Sequence, residues 1–113
     1  MADSTTGFDR APDRYTALGR ETIDRQRDFA HEAARTVGAE DVNELADMLF
    51  AYHCWAQVMK YEDRAGLKGD PTADRAKAEF YKAMFAHVLK GSPDPRSGRP
   101  DFTPYQRPTR GGP

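Results

Sequence analysis

The sequence predicts an all-α fold, a small three-helix domain built on a long central helix and followed by a disordered, Pro/Arg-rich C-terminal tail. Three observations carry this. Apolar residues recur every three or four positions in three separate stretches. Glycines, or the pair Asp70-Pro71, punctuate the gaps between those stretches. No segment alternates apolar with polar residues as a half-buried strand would.

Residues 1–12 are polar, contain Gly7 and Pro12, and are expected to fray. The domain proper is expected over residues 13–91. It opens with a lead-in in which Tyr15 and Leu18 pack while Asp13 or Thr16 caps the helix that follows. That first helix is predicted over residues 20–37. Ile23, Ala30, Ala33, Ala34 and Val37 form its stripe, Phe29 widens it, and Gly38 stops it. Glu21, Asp24, Asp28 and Glu32 fall at steps of three and four, so several carboxylates share one side.

The second helix, over residues 41–64, is the spine. Val42, Leu45, Leu49, Tyr52, Ala56 and Met59 make a clean three-four repeat, with Met48, Trp55 and Val58 broadening it. Some 24 residues span about 36 Å, so this helix organises a short chain or crosses a partner. Asp70 and Pro71 supply an N-cap and first-turn pair, with Thr72 as the competing cap, for a third helix running from Pro71 or Thr72 to Lys90. Ala73, Ala76, Phe80, Met84 and Val88 line it, Phe85 and Leu89 are its shoulder, and Gly91 ends it. Residues 92–113 hold six prolines and three glycines, which no regular helix accommodates. That tail is expected to be extended or disordered, with Phe102 and Tyr105 able to latch onto the body or a neighbour.

One hundred and thirteen residues support one domain with a small core. With 38% apolar and 31% charged residues, hydrophobic material is thin, and a homo-oligomer is the expected way to add burial. The net charge of -1 leaves no global field for nucleic acid or an anionic membrane. The distribution is uneven, however. Residues 1–91 carry 13 Lys/Arg against 16 Asp/Glu, while residues 92–113 carry 4 against 2. Cys54 is the one cysteine, which excludes an intramolecular disulfide and a zinc set; a buried structural thiol is expected. No run approaches 18 apolar residues and the N-terminus has no signal-peptide pattern, so a cytoplasmic protein is expected.

The chemistry concentrates between His53 and Tyr81. Lys60 and Arg64 stack four residues apart on one helical face, Lys68 follows a turn that Gly66 bends, and Lys77 returns on the third helix. The start of that helix adds free N–H groups. Convergence of these donors would make a phosphate site; solvated helix ends have the same spacing. Tyr61 and Tyr81 can stack on a base, donate a hydroxyl, or simply pack. Glu44 and Asp47, with Glu21 and Asp24 from the first helix, could bind Mg²⁺ or form a solvated acidic face. His31, His53 and His87 are too scattered for a metal pair or a hydrolytic triad. GLKGDPT lacks the glycine spacing and Lys-Ser/Thr ending of a P-loop.

The segments DRYTALGRETID, VMKYEDRAGLKGD and DRAKAEFYKAM, taken in order, resemble a small phage-encoded family with the patterns H-Y-x-x-G-x-E-x-I-D, G-N-x-x-K-Y-x-x-R-x-G-x-K and E-D-L-x-K-A-x-x-Y. It includes phage nucleotide kinases that lack a P-loop. The resemblance covers about residues 14–89. It implies phosphoryl transfer from a nucleoside triphosphate to a deoxynucleoside monophosphate, with Mg²⁺, in an oligomer. Carried over by position, the matches are Tyr15, Gly19, Glu21, Ile23 and Asp24, then Lys60, Tyr61, Arg64, Gly66 and Lys68, then Asp74, Lys77, Ala78 and Tyr81. The sequence departs at Arg14, where the family has histidine, at Ala56-Gln57, where it has Gly-Asn, and at Arg75, where it has leucine.

The leading expectation is a phage or prophage protein of the host cytoplasm that binds a nucleotide. Lys60, Arg64 and Lys77 are its candidate catalytic residues, and Arg14, Lys60, Arg64, Lys68 and Lys77 its phosphate ligands. Tyr15, Gln57, Tyr61 and Tyr81 would contact base or sugar, with Glu21 and Asp24 holding Mg²⁺. The alternatives are a MazG-like nucleoside triphosphate pyrophosphohydrolase, suggested by Glu44-x-x-Asp47, and a non-enzymatic module that binds a host or phage protein.

Overall fold

The computed structural model describes residues 21–67 and 69–108. Three helices make up the body: α1 (Thr22–Thr36), α2 (Val42–Ala65) and α3 (Thr72–Lys90). Both α1 and α3 pack on α2, which is the spine. Residues 1–12, with Arg14, Tyr15 and the rest of the lead-in, fall outside the described residues. Lys68 does as well.

Local chemistry places the helix ends close to the sequence expectation. Asp41 caps α2 by accepting the Glu44 N–H at 3.0 Å. Asp70 Oδ1 accepts from both the N–H and the hydroxyl of Thr72, at 3.0 and 2.7 Å, and so holds the chain at the start of α3. Gly38 and Gly91, at φ 76° and 78°, follow α1 and α3 in the left-handed region that side chains rarely adopt.

The core uses the expected Ile23, Ala30 and Ala34 of α1 and Phe80, Met84, Phe85 and Val88 of α3, and differs from the sequence reading chiefly in the side of α2 that it covers. Its cluster is Ile23, Ala30, Ala34, Ala46, Phe50, Cys54 and Met84, with Phe80, Tyr81, Phe85 and Val88 packed against it. On α1, Val37, Phe29 and Ala33 are exposed, and Arg27 and His31 take buried positions among the apolar ones. On α2 the buried residues are Ala46, Phe50, Ala51, Cys54, Val58 and Ala65. Leu49, Tyr52, Ala56 and Met59, expected to face inward, are exposed, as are Met48 and Trp55. This helix is apolar on two sides, so periodicity alone selected the richer stripe, and the chain buries the one that lets small side chains approach.

Residues 92–108 form neither helix nor strand, as their prolines require. Turns closed by Ser97 N–H to Asp94 O, Arg99 N–H to Arg96 O and Phe102 N–H to Arg99 O carry them along. Side chains then tie this segment to α1 and to the first half of α2.

Candidate functional site

The α2–α3 hairpin brings together much of what the sequence singled out. Tyr61 lies on the last turns of α2 and Tyr81 in the middle of α3. Their rings stack with centroids 6.1 Å apart and planes 8° from parallel. Phe80 meets Tyr81 edge-on at 5.3 Å and fixes that ring from its own helix. Lys60 Nζ is 5.1 Å and Lys77 Nζ 5.3 Å from the centroid of the same Tyr61 ring. Two ammonium groups from two helices therefore approach one aromatic ring. Both lysines are exposed, and neither forms an ion pair among the described residues. Neither ammonium group is neutralised by a described carboxylate within 4 Å, so both are open to an anion from solution.

Arg64 contributes differently. Its Nε is 3.5 Å from the carboxylate of Asp74, a buried residue in the first turn of α3. The pair closes the hairpin, so part of the charge of Arg64 is spent on the protein itself. Gln57 is half-buried one turn before Tyr61, on the same side of α2.

The acidic residues expected to hold Mg²⁺ have other partners. Asp24 accepts from Arg96 Nη1 at 3.2 Å and lies 3.1 Å from its Nη2, and Glu21 pairs with Arg99 Nη2 at 3.1 Å. Arg96 is only 3% exposed and also grips Asp94 through Nε and Nη2, at 3.0 and 2.9 Å. Burial pulls the Arg96 pKa down, but hydrogen bonds to Asp94 and Asp24 outweigh it and hold the guanidinium firmly charged. Burial likewise opposes ionisation of Asp94, yet Arg96 keeps that carboxyl below the usual range. Asp47 is claimed by Arg107, with contacts of 3.1 and 3.0 Å, while Glu44 stands exposed in the first turn of α2. Among the described residues no three His, Cys, Asp or Glu side chains gather as metal ligands. As arranged here, these carboxylates do not fit a resident Mg²⁺ ion, because arginine already supplies the countercharge.

Sequence reasoning missed the tail arginines as partners of α1. The signal was the charge split: a body with excess carboxylates joined to a tail with excess arginines. Each histidine has a partner within the fold. Arg107 Nη1 donates to His31 Nε2 at 3.2 Å, His53 pairs with Gln26 at 3.1 Å, and His87 Nδ1 lies 2.8 Å from the Ser92 carbonyl. Cys54 is buried as expected, and burial pushes its thiol up to about 12.

A separate opening of about 480 Å³ lies between α2 and α3, lined by Glu62, Ala65, Gly66, Arg75, Ala78 and Glu79. Lys82 bridges its two carboxylates, at 3.0 Å to Glu62 and 3.2 Å to Glu79. Of the expected phosphate ligands among the described residues, Lys60, Arg64 and Lys77, none lines it, and Lys82 offsets its carboxylates, so the Lys60–Lys77 pair is the better candidate. No family model, curated protein or solved structure matches this chain.

Proposed function

We propose that the α2–α3 hairpin binds the phosphate of a nucleotide, and that the reaction served is phosphoryl transfer from a nucleoside triphosphate to a deoxynucleoside monophosphate. The observation that carries the reading is the approach of Lys60 and Lys77 to one Tyr61 ring, with no carboxylate partner for either among the described residues. Phosphate oxygens would accept from the two ammonium groups and supply their countercharge. The stacked Tyr61–Tyr81 pair would offer a flat wall to sugar or base. Arg64, held by Asp74, would sit at the rim as a third cation.

Phosphoryl transfer needs positioning and charge stabilisation more than covalent help, and lysines on two helices suit that task. Magnesium would enter with the triphosphate, since Glu21 and Asp24 are engaged by arginine. A pyrophosphohydrolase is less well supported, because Asp47, half of its metal pair, is held by Arg107.

Calorimetry with dGMP, dTMP and ATP, each with and without Mg²⁺, tests the binding step. Lys60→Ala/Lys77→Ala is expected to weaken the bound nucleotide about 30-fold, each lysine contributing about 1 kcal/mol at an exposed site, while helix content stays unchanged. Equal affinity of the double variant and the parent would overturn the site. Incubating ATP with each deoxynucleoside monophosphate tests the reaction. Diphosphate products support transfer, pyrophosphate release assigns the hydrolase, and no turnover despite binding removes the catalytic part.

A further inference from the structure

The outward side of α2 poses a separate question. Among the described residues, six of the eleven buried apolar ones are alanine, whereas nine large apolar side chains are exposed. Four of the nine lie along one line on α2: Met48 (56% exposed), Tyr52 (76%), Trp55 (43%) and Met59 (57%). Steps of four, three and four keep them on one face. From Met48 to Met59 the helix has no Asp, Glu, Lys or Arg. A helix apolar on both sides is ordinarily covered on both.

We propose that this face is the seam of a two-fold homodimer in which α2 packs antiparallel on α2 of a second copy. The order of the side chains selects the occupant. Met-Tyr-Trp-Met at steps of four, three and four has the same pattern read from either end: a methionine, two aromatics, a methionine. A two-fold axis crossing α2 between Tyr52 and Trp55 sets Met48 against Met59 of the other copy and Tyr52 against its Trp55. An isologous interface requires this self-complementarity, because one patch must serve both partners. Absence of charge along the seam removes like-charge repulsion between identical surfaces and gives an acidic or basic partner nothing to pair with.

Shape and area agree. Tyr52 is the most exposed of the four, and beside it lies a hollow of about 330 Å³ lined by Met48, Ala51, Tyr52, Trp55, Phe85 and Leu89. Trp55 is braced by Phe85 with ring centroids 5.0 Å apart, which gives that hollow a firm wall. Across the axis, each Tyr52 is a knob for the hollow on the other copy. Together these exposed side chains make one apolar patch of about a few hundred Å², the size of an interface at the small end of the range, where each partner buries about 600 Å². The seam is independent of the Lys60–Lys77 site, and either could fail alone.

Sedimentation of the full chain from micromolar to hundreds of micromolar tests the dimer, with Tyr52→Glu as the variant. Tyr52 is exposed, so its replacement leaves the fold intact, and circular dichroism checks this. The parent is expected to sediment as a dimer, and the variant to dissociate at about 100-fold higher concentration. A parent that stays monomeric throughout, or binds only some other protein, overturns the proposal, as does a Tyr52→Glu dimer of unchanged affinity. Orientation is read in a Cys54→Ser background. Oxidative cross-linking of a Met48→Cys and Met59→Cys mixture is expected, with little from Met48→Cys alone; the reverse result overturns the antiparallel arrangement.

Discussion

The buried polar side chains decide how this protein responds to acid. His31 is buried, and burial, with Arg107 close by, lowers its pKa; burial also lowers that of His53. The Arg107–His31 hydrogen bond requires a bare Nε2, which the neutral ring provides. A pKa lowered on folding favours the uncharged form, so the contribution of each histidine is complete above the unfolded value of about 6.5 and is lost as pH falls below it. Asp94 is also lowered, by Arg96, and its contribution is complete above about 3.9 and lost at lower pH. Acid is therefore expected to destabilise the protein in two separated steps. Urea midpoints measured from about pH 8 to about pH 3 should show both, and His31→Gln should shrink the first while sparing the second. A single step below pH 4 would show that the histidines carry no linkage. Arg27 stands apart, lying over the Tyr105 ring at 4.3 Å with a buried Nε that has no hydrogen-bond partner.

Among the elements, the ends of the helices follow local rules and the covered face of α2 does not. Asp41, Asp70 and Gly91 act where their chemistry predicts, because a cap answers to backbone groups within four residues. Gly91 isolates one such effect. A Cβ there would meet nothing within 4 Å, yet φ is 78°. Gly91→Ala is therefore expected to cost about 1 kcal/mol through backbone conformation alone, read as a lower thermal midpoint with an unchanged helical spectrum. No loss of stability would mean that the turn relaxes to negative φ. The face of α2 answers to longer-range facts. Both of its sides are apolar, and the one that α1 and α3 cover carries Ala46, Ala51, Cys54 and Ala65, whose small size admits neighbouring backbones. Periodicity ranked the stripe with Leu49, Tyr52 and Met59 higher because it holds larger side chains, yet the covered side, which also holds Phe50 and Val58, is the one that meets α1 and α3.

At the scale of the whole molecule, the tail straps the helices together. Its residues reach 72 to 78 positions back along the chain to Glu21, Asp24 and Asp28, and Arg107 reaches Asp47 of α2. A core with six alanines leaves stability to be found elsewhere, and Arg96 is where the strap is most buried. Arg96→Ala would strand Asp94 and leave Asp24 short of its countercharge, at an expected cost of about 3 kcal/mol. Chemical denaturation checks this, and a loss under about 1 kcal/mol would show that water replaces the guanidinium. The basic cluster is a product of the same scale. Lys60 and Lys77 are 17 positions apart, and only the hairpin sets both beside Tyr61.

The sequence by itself determined the all-α class, three helices with ends placed to within a residue or two, the buried cysteine and the irregular course after Gly91. Each depends on periodicity, capping or composition, which act over a few residues. Only the tertiary structure decided which face of α2 is covered, that Glu21 and Asp24 answer to Arg96 and Arg99, and that two lysines share one ring. Those outcomes depend on which helices can approach closely and which charges they bring along, and local spacing does not contain that information.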